Sequence, residues 1–351
     1  MIRLSNKKIQ FLNKNFILFN PLNINFRPLI LLVLFLFVNN ALTEELYKNN
    51  HNIHGDDSTF KDFLKWQFNG NNPEKIAIEM SSEFNDANNL PTNAYAVWIG
   101  HASFLINNNN INILTDPIFS QRASPFSFIG PKRLIPPAID IKNLPPIDVV
   151  TVSHAHYDHL DLPSLIKLYE INSDTLFLVP MSLGKLLKSS GIKNVVEMNW
   201  WDTITIKDSL ITFVPVHHWS SRTPFDKNKM LWGGWWFEND TLKLIHLGDT
   251  GYTYDFMTIN NELGSPDVAF IPIGAYEPRS IMKDSHLNPQ ESVQAAIDLK
   301  TSLAIGMHWG TFTLTDEPVL DPPIQIREEL NRLNLKNLFV IPRPGEIISL
   351  E

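Results

Sequence analysis

Three histidines and an aspartate fall within six residues in Ser153-His154-Ala155-His156-Tyr157-Asp158-His159-Leu160-Asp161, directly after the apolar run Ile147 to Val152. Imidazole nitrogens and carboxylate oxygens are the ligands that divalent zinc, iron or manganese take when no thiolate is offered, and the chain has no cysteine. The run before the cluster has the length and apolarity of a buried strand. Alternate residues of an extended segment face the same way, so His154 and His156 can converge on one metal. Asp158 and His159 follow where the chain turns and can face a second metal.

One loop rarely supplies every ligand. Three more polar groups stand at the ends of expected strands: His218 in Pro215-Val216-His217-His218-Trp219, Asp249 in Leu247-Gly248-Asp249-Thr250-Gly251, and His308 in Met307-His308-Trp309-Gly310. Each alone reads as a core histidine or a turn aspartate. Together, in this order, they read as a metal centre. Of the other histidines, His101 is expected to support the ligands, His246 to be a non-ligand, and His51 and His54 to be solvated.

The elements that must position these groups begin near Tyr95. Strands are expected at Ala94–Ile99, Ser103–Ile106 and Ile111–Thr115, then a long loop, Phe119 to Pro137, mixing Phe119, Phe126, Phe128 and Ile129 with Arg122, Lys132 and Arg133. Loops this long inside a compact domain are usually functional, and an apolar loop edged by bases suits an amphiphile with an anionic head. Asp161 and Pro163 mark a helix start. Thr175–Val179, a helix over 182–190 and Asn194–Met198 follow. Two hairpins are expected, Thr203–Ile206 with Leu210–Val214 and Leu231–Phe237 with Leu242–His246. After a buried strand Val268–Ile273, Asn288-Pro289-Gln290-Glu291 matches a capping box. A strand Leu303–Met307, a helix Ile324–Leu333 and strands around Phe339 and Ile347 complete the chain. The pattern implies an α/β protein of two mixed sheets flanked by helices.

The 351-residue length is ample for a core, and a net charge of −8 without a basic stripe argues against nucleic acid as partner. Residues 1–43 carry Arg3, Lys7, Lys8, Lys14 and Arg27 and no acid, with an apolar run from Leu29 to Val38. That run is short for a bilayer span and suits the core of a signal peptide or an anchor. The expected organisation is a leader over 1–45, a polar extension over 46–90 with a short helix near Phe60–Phe68, and the functional domain over 91–351. A working leader would make the protein exported or membrane-associated; without one it would be cytoplasmic.

The order His-x-His-x-Asp-His, His, Gly-Asp-Thr-Gly, His resembles the metallo-β-lactamase superfamily, whose fold is an αββα sandwich. Longer strings narrow the resemblance: Trp98-Ile99-Gly100-His101-Ala102-Ser103, Thr115-Asp116-Pro117-Ile118-Phe119-Ser120, Gly130-Pro131-Lys132-Arg133, Ile271-Pro272-Ile273-Gly274-Ala275-Tyr276-Glu277-Pro278-Arg279 and His308-Trp309-Gly310-Thr311-Phe312 are similar to the N-acylphosphatidylethanolamine-hydrolysing phospholipases D. The resemblance implies two zinc ions, one on His154, His156 and His218, the other on Asp158, His159 and His308, with Asp249 bridging. It implies a hydroxide nucleophile oriented by Asp158 or Asp249, His286 against the substrate phosphate, and release of N-acylethanolamine and phosphatidate. Where the mammalian enzyme places polar side chains near the lipid, this chain has Phe126, Ser127 and Phe128. The partners expected are a phospholipid substrate at a membrane surface and a second copy in a homodimer. The competing readings are a hydrolase of the same fold acting on a soluble lactone or cyclic phosphate, and a scaffold that kept the fold without the chemistry.

Overall fold

The computed structural model describes residues 46–51, 66, 70, 73–84 and 90–350. The expected leader, His54 and the Phe60–Phe68 patch apart from Trp66 lie outside them. Two sheets of seven strands form from these residues. The first has the order β14-β1-β2-β3-β4-β5-β6, from β1 (Tyr95–Gly100), β2 (Ser103–Asn107), β3 (Asn112–Thr115), β4 (Val149–Thr151), β5 (Leu176–Pro180), β6 (Val195–Met198) and β14 (Ile347–Ser349). The second has the order β13-β12-β11-β10-β9-β8-β7, from β7 (Thr203–Ile206), β8 (Ser209–Val214), β9 (Gly234–Glu238), β10 (Lys243–His246), β11 (Val268–Pro272), β12 (Leu303–Met307) and β13 (Phe339–Val340).

Strand alternation builds the layers. In β1, Ala96 and Trp98 join Phe104, Phe213, Trp235 and Phe270 in the core between the sheets. Val97 and Ile99, one residue out of phase, join Leu165 and Leu168 of α1 (Leu162–Ile171) on the outer face. The second sheet's outer face is covered by α3 (Asp255–Leu263), α5 (Pro289–Leu299) and α6 (Asp321–Leu333), through Phe256, Ile259, Val293, Ala296, Ile326 and Leu330. Two shorter helices, α2 (Gly184–Ser189) and α4 (Arg279–Met282), lie between strands. Sheet on sheet with helices outside is the αββα sandwich.

The capping box at α5 forms as expected: the Asn288 side chain accepts from the Glu291 amide, and Glu291 accepts from the Asn288 amide. Elsewhere the structure departs from expectation for local reasons. Asp161 stands at the N-cap of α1 as expected, but its side chain makes no cap bond: the carboxylate accepts from the Ser120 amide at 3.1 Å and from the Ser120 and Ser164 hydroxyls. Residues 231–233 are not strand, because the Gly233 amide donates to the Ser153 carbonyl at 3.0 Å, tying that segment to the histidine loop. Helix α6 starts at Asp321 with Pro322 and Pro323 in its first turn, where a missing N–H breaks no helical bond. Helices α3 and α4 were not foreseen.

Candidate metal centre

The parallel strands β3–β6 and β10–β13 run in a common direction within each sheet. The chemistry-bearing residues all lie just past strand ends: 154–159 after β4, His218 after β8, Asp249 after β10 and His308 after β12. Two features let the sheets close together there. Trp235 of the second sheet donates its indole N–H to the Val152 carbonyl of the first at 3.0 Å. Gly248, with φ +61°, sits so close to Ser153 that an added Cβ would come within 2.5 Å of the Ser153 Cβ, so only glycine fits.

All seven expected ligands are brought together, in two groups. In the first, His154 Nε2 lies 2.8 Å from His156 Nδ1, and His218 Nε2 lies 3.3 Å from the same atom. In the second, Asp158 Oδ2 lies 3.6 Å from both His159 Nε2 and His308 Nε2. Asp249 spans them: Oδ2 is 3.9 Å from His154 Nε2 and His218 Nε2 and 3.2 Å from His159 Nε2, while Oδ1 is 3.0 Å from His308 Nε2.

The outer contacts fix which nitrogen faces inward. Ser153 donates its hydroxyl to Asp116 Oδ2 at 2.6 Å, so it can only accept from His154 Nδ1, 2.9 Å away. His218 Nδ1–H donates to the Ser285 carbonyl at 2.9 Å, and His159 Nδ1–H to Asp116 Oδ2 at 2.7 Å. A neutral imidazole that donates from Nδ1 carries a bare lone pair on Nε2. His154 Nε2 and His218 Nε2 therefore both turn lone pairs toward His156 Nδ1. His156 Nε2, His159 Nε2, His308 Nε2, Asp249 Oδ1 and His286 Nδ1 are buried without a hydrogen-bond partner among the described residues. Buried polar atoms left this way need a ligand. Lone pairs and carboxylates converging on two foci fit two divalent cations, and imidazoles held by outer carboxylate and carbonyl groups are the usual setting for them.

The protonation pattern separates the groups. Burial, followed by its neighbouring imidazoles, holds His154 well below the ordinary histidine value. Burial also holds His218 well below it and brings His156 to about 4. For His159, burial is outweighed by Asp249, Asp158 and Asp116, which lift it well above 6.5; for His308, by Asp249 and Asp158, which lift it to about 9. Burial pushes Asp158 and Asp249 up, but His159 and the other surrounding imidazoles pull both well below the usual carboxylate range. His101, brought to about 3 by burial and by His308, is neutral and donates from Nε2 to Asp158 Oδ2 at 2.9 Å.

The supporting residues now have definite jobs. His101 orients Asp158, as expected of a residue behind the ligands. Asp116, not singled out beforehand, holds His159 from behind and also accepts from the Ser153 amide at 2.6 Å. The signal was present in its position at the end of β3, beside β4. His101, Asp116 and His308 all adopt left-handed backbone, with φ of 57°, 36° and 63°. Such conformations cost of order 1–3 kcal/mol each and gather at functional sites. Arg222 donates to the Ala155 and Leu160 carbonyls, both at 2.9 Å, and its guanidinium lies 4.0 Å from the Tyr157 ring centroid, bracing the loop 154–160. His246 is buried, with Nε2 2.9 Å from the Ala102 carbonyl, away from the ligands. His51, expected to be solvated, lies 3.5 Å from the buried carboxylate of Asp255.

His286 is placed beside the cluster, Nδ1 3.8 Å from Asp249 Oδ2. Burial brings it to about 4, so it is neutral near pH 7. Asp158 and His286 each keep 15% of their side-chain exposure, against 2% or less for His154, His159, His218, Asp249 and His308, so this pair faces the mouth of the site. Phe126 and Phe128 are exposed at the tip of their loop, ring centroids 5.7 Å apart, with Ser127 also exposed between them. Their ring contact is with one another. The loop's base is tied to the site, since the Leu134 amide donates to the Thr311 carbonyl and the Thr311 hydroxyl accepts from the His101 amide. Arg133 is not one of its surface bases: it is buried and donates to the Ile135 and Ile118 carbonyls.

Sandwich, strand-end ligands and paired foci define a class of metal-dependent hydrolase, and sequence comparison agrees. Residues 111–309 match the Beta-lactamase superfamily domain, and the chain belongs to that superfamily. Within it, the chain is 38% identical over 266 residues to N-acyl-phosphatidylethanolamine-hydrolyzing phospholipase D 1 of Caenorhabditis elegans, spanning 72% of this chain and 75% of that protein. It is also 31% identical over 252 residues to a UPF0173 metal-dependent hydrolase of Methanopyrus kandleri, spanning 71% of this chain and 96% of that one. A possible metal-dependent hydrolase from Veillonella parvula superposes with a TM-score of 0.57 at 17% identity, over 74% of this chain and all of that one, which shows the shared fold.

Proposed function

We propose that the protein is a di-zinc phosphodiesterase that hydrolyses N-acylphosphatidylethanolamine-type phospholipids to N-acylethanolamine and phosphatidate. The observation that carries the two-metal reading is Asp249, whose carboxylate lies between the groups: Oδ2 is 3.9 Å from His154 and His218 Nε2 and 3.2 Å from His159 Nε2, and Oδ1 is 3.0 Å from His308 Nε2. The substrate reading is supported by the identity to the nematode phospholipase and by the exposed Phe126–Phe128 loop, whose apolar tip has Arg122 and exposed Lys132 bridging its base.

Bound in pairs, divalent cations lower the pKa of a water toward neutrality and offset charge on phosphoryl oxygens. The chain's own residues do the rest. Asp158, fixed by His101 and partly open to solvent, orients the attacking water. His286, neutral and at the mouth, presents an N–H to a non-bridging phosphate oxygen. Cleavage breaks the bond between phosphorus and the ethanolamine oxygen; the water oxygen stays on phosphatidate and a proton goes to the N-acylethanolamine hydroxyl. The Phe loop seats the acyl region at a membrane surface, and among the described residues no helix is long and apolar enough to cross one.

The second reading, a hydrolase of a soluble lactone or cyclic phosphate, draws support from the Methanopyrus kandleri relative, whose name carries no lipid. Zinc-loaded protein on vesicles containing N-acylphosphatidylethanolamine, with products followed by mass spectrometry, separates the two. Phosphatidate and N-acylethanolamine should appear in equal amounts. Replacing Phe126 and Phe128 with serine should slow turnover on vesicles by about tenfold or more, since burying each ring contributes about 1.5–3 kcal/mol when fully inserted and about 1.4 kcal/mol is a factor of ten. Turnover of a soluble lactone with no lipid product would discard the lipid reading.

A further inference from the structure

The first group of ligands has a weak point that the fold itself does not cover. β8 ends at Val214, and His218 lies beyond it, outside the sheet ladder. Its backbone is buried with its side chain, and a buried amide and carbonyl need partners. Asn49 supplies both, from the short N-terminal segment 46–51. Its Oδ1 accepts from the His218 amide at 3.1 Å, and its Nδ2 donates to the His218 carbonyl at 3.0 Å. One carboxamide thus closes a two-point clamp on a ligand's backbone, as a neighbouring strand would. The same Oδ1 accepts from the Trp232 indole at 3.0 Å.

The segment is anchored on both sides of that clamp. The Tyr47 amide donates to the Asn228 carbonyl at 2.9 Å. Asn50 Nδ2 donates to Asp255 Oδ1 at 2.9 Å, and His51 Nε2 lies 3.5 Å from the same oxygen. Asp255 is itself buried at the start of α3, its other oxygen taking the Thr253 hydroxyl at 2.8 Å. Without residues 46–51, the His218 backbone and one Asp255 oxygen would lose every partner shown here, each a cost of about 1–3 kcal/mol.

We infer that residues 46–51 form a strap built into the metal centre, and that Asn49 is a positioning residue for His218. The strap lies N-terminal to residues 111–309, which match the superfamily domain. Its effect is selective. The side-chain end of His218 is held by the Ser285 carbonyl, and its backbone end by Asn49; both ends must be fixed for Nε2 to meet His154 and His156. The second group is held by Asp116 and His101 and touches the strap nowhere among the described contacts.

This inference rests on the reading of His218 as a metal ligand, and the test separates the two. Full-length, metal-stripped protein is titrated with zinc against a chelating competitor. Asn49→Ala should weaken one zinc equivalent about 10- to 100-fold, the usual effect of removing an outer support, and leave the other at parent affinity. Asn49→Ser, a gentler change, should weaken the same equivalent and carries the comparison if the alanine variant is insoluble. Asn50→Ala, which removes the strap's tie to Asp255 but leaves the Asn49 clamp, should weaken the same equivalent by less. Parent affinity at both equivalents in the Asn49 variants, or equal loss at both, would overturn the strap. If His218→Ala also keeps both equivalents, the ligand assignment fails with it; if His218→Ala loses one while Asn49→Ala loses none, only the strap fails.

Discussion

The two ligand groups sit a few ångströms apart on one carboxylate, yet they meet charge in opposite ways. His154, His156 and His218 are neutral, pressed down by burial and by one another. His159 and His308, beside Asp158 and Asp249, hold protons tightly when no cation is there. The first group is a set of lone pairs waiting for a metal; the second is an anionic niche where protons take a metal's place. Equal numbers of ligands thus give unequal sites, and the difference comes from where the carboxylates stand.

The bluntest way to break this comparison is to remove the shared group. Asp249→Ala should lose both zinc equivalents and lower activity by about 10³-fold or more, since several kcal/mol of charge stabilisation leaves with the metals and each 1.4 kcal/mol is a factor of ten. His156→Ala should lose only the first equivalent. Elemental analysis after dialysis, alongside turnover, checks both; an Asp249→Ala protein that keeps two metals would end the bridging role. A smaller effect should follow from Asp116→Asn, which withdraws the carboxylate behind His159. The second equivalent should weaken about 10- to 100-fold, and the first less, because Asp116 reaches His154 only through Ser153. Competitive zinc titration reads the two steps, and equal weakening would show that the groups do not differ as described.

The smallest effect is in pH. His308 is raised from 6.5 to about 9, so in metal-free protein its contribution to stability is full below pH 6.5 and lost as pH rises through 9. His156 is lowered to about 4, so its contribution is present above 6.5 and lost as pH falls through 4. Metal-free protein should therefore melt highest near the ordinary histidine pKa, with a decline of roughly 5 °C on the alkaline side. Zinc, by replacing the proton, should flatten that side. Melting curves from pH 5 to 9.5 with and without chelator test this, and an alkaline decline unchanged by zinc would count against the proton-holding niche.

Much of the site was legible because its residues obey local rules. Histidines two apart on an extended segment share a face, and polar groups ending apolar strands must be accounted for somehow. The Asn288 cap formed because all its partners lie within four residues. What was hidden depends on distant contacts. Helix α3 has apolar residues only at Phe256, Met257, Ile259 and Leu263 and two asparagines at its centre, so its propensity is poor; packing of Phe256 and Ile259 under α5 makes it a helix. Arg133 reads as a surface base until two carbonyls 2 and 15 residues away are seen to claim it. Asn49 and His51, in an asparagine-rich stretch, give no local sign of the partners at Asp255 and at His218, 169 residues on.

The pairing of β14 with β1 has a consequence for how the protein is made. β1 leads directly to His101, and its outer neighbour in the sheet is β14, with Tyr95 opposite Ser349. While the chain is being synthesised, the first sheet therefore has an unfinished edge until residues 347–349 emerge, and His308 itself appears only after the other six ligands have waited. The full set of seven groups can therefore come together only once most of the chain has been made.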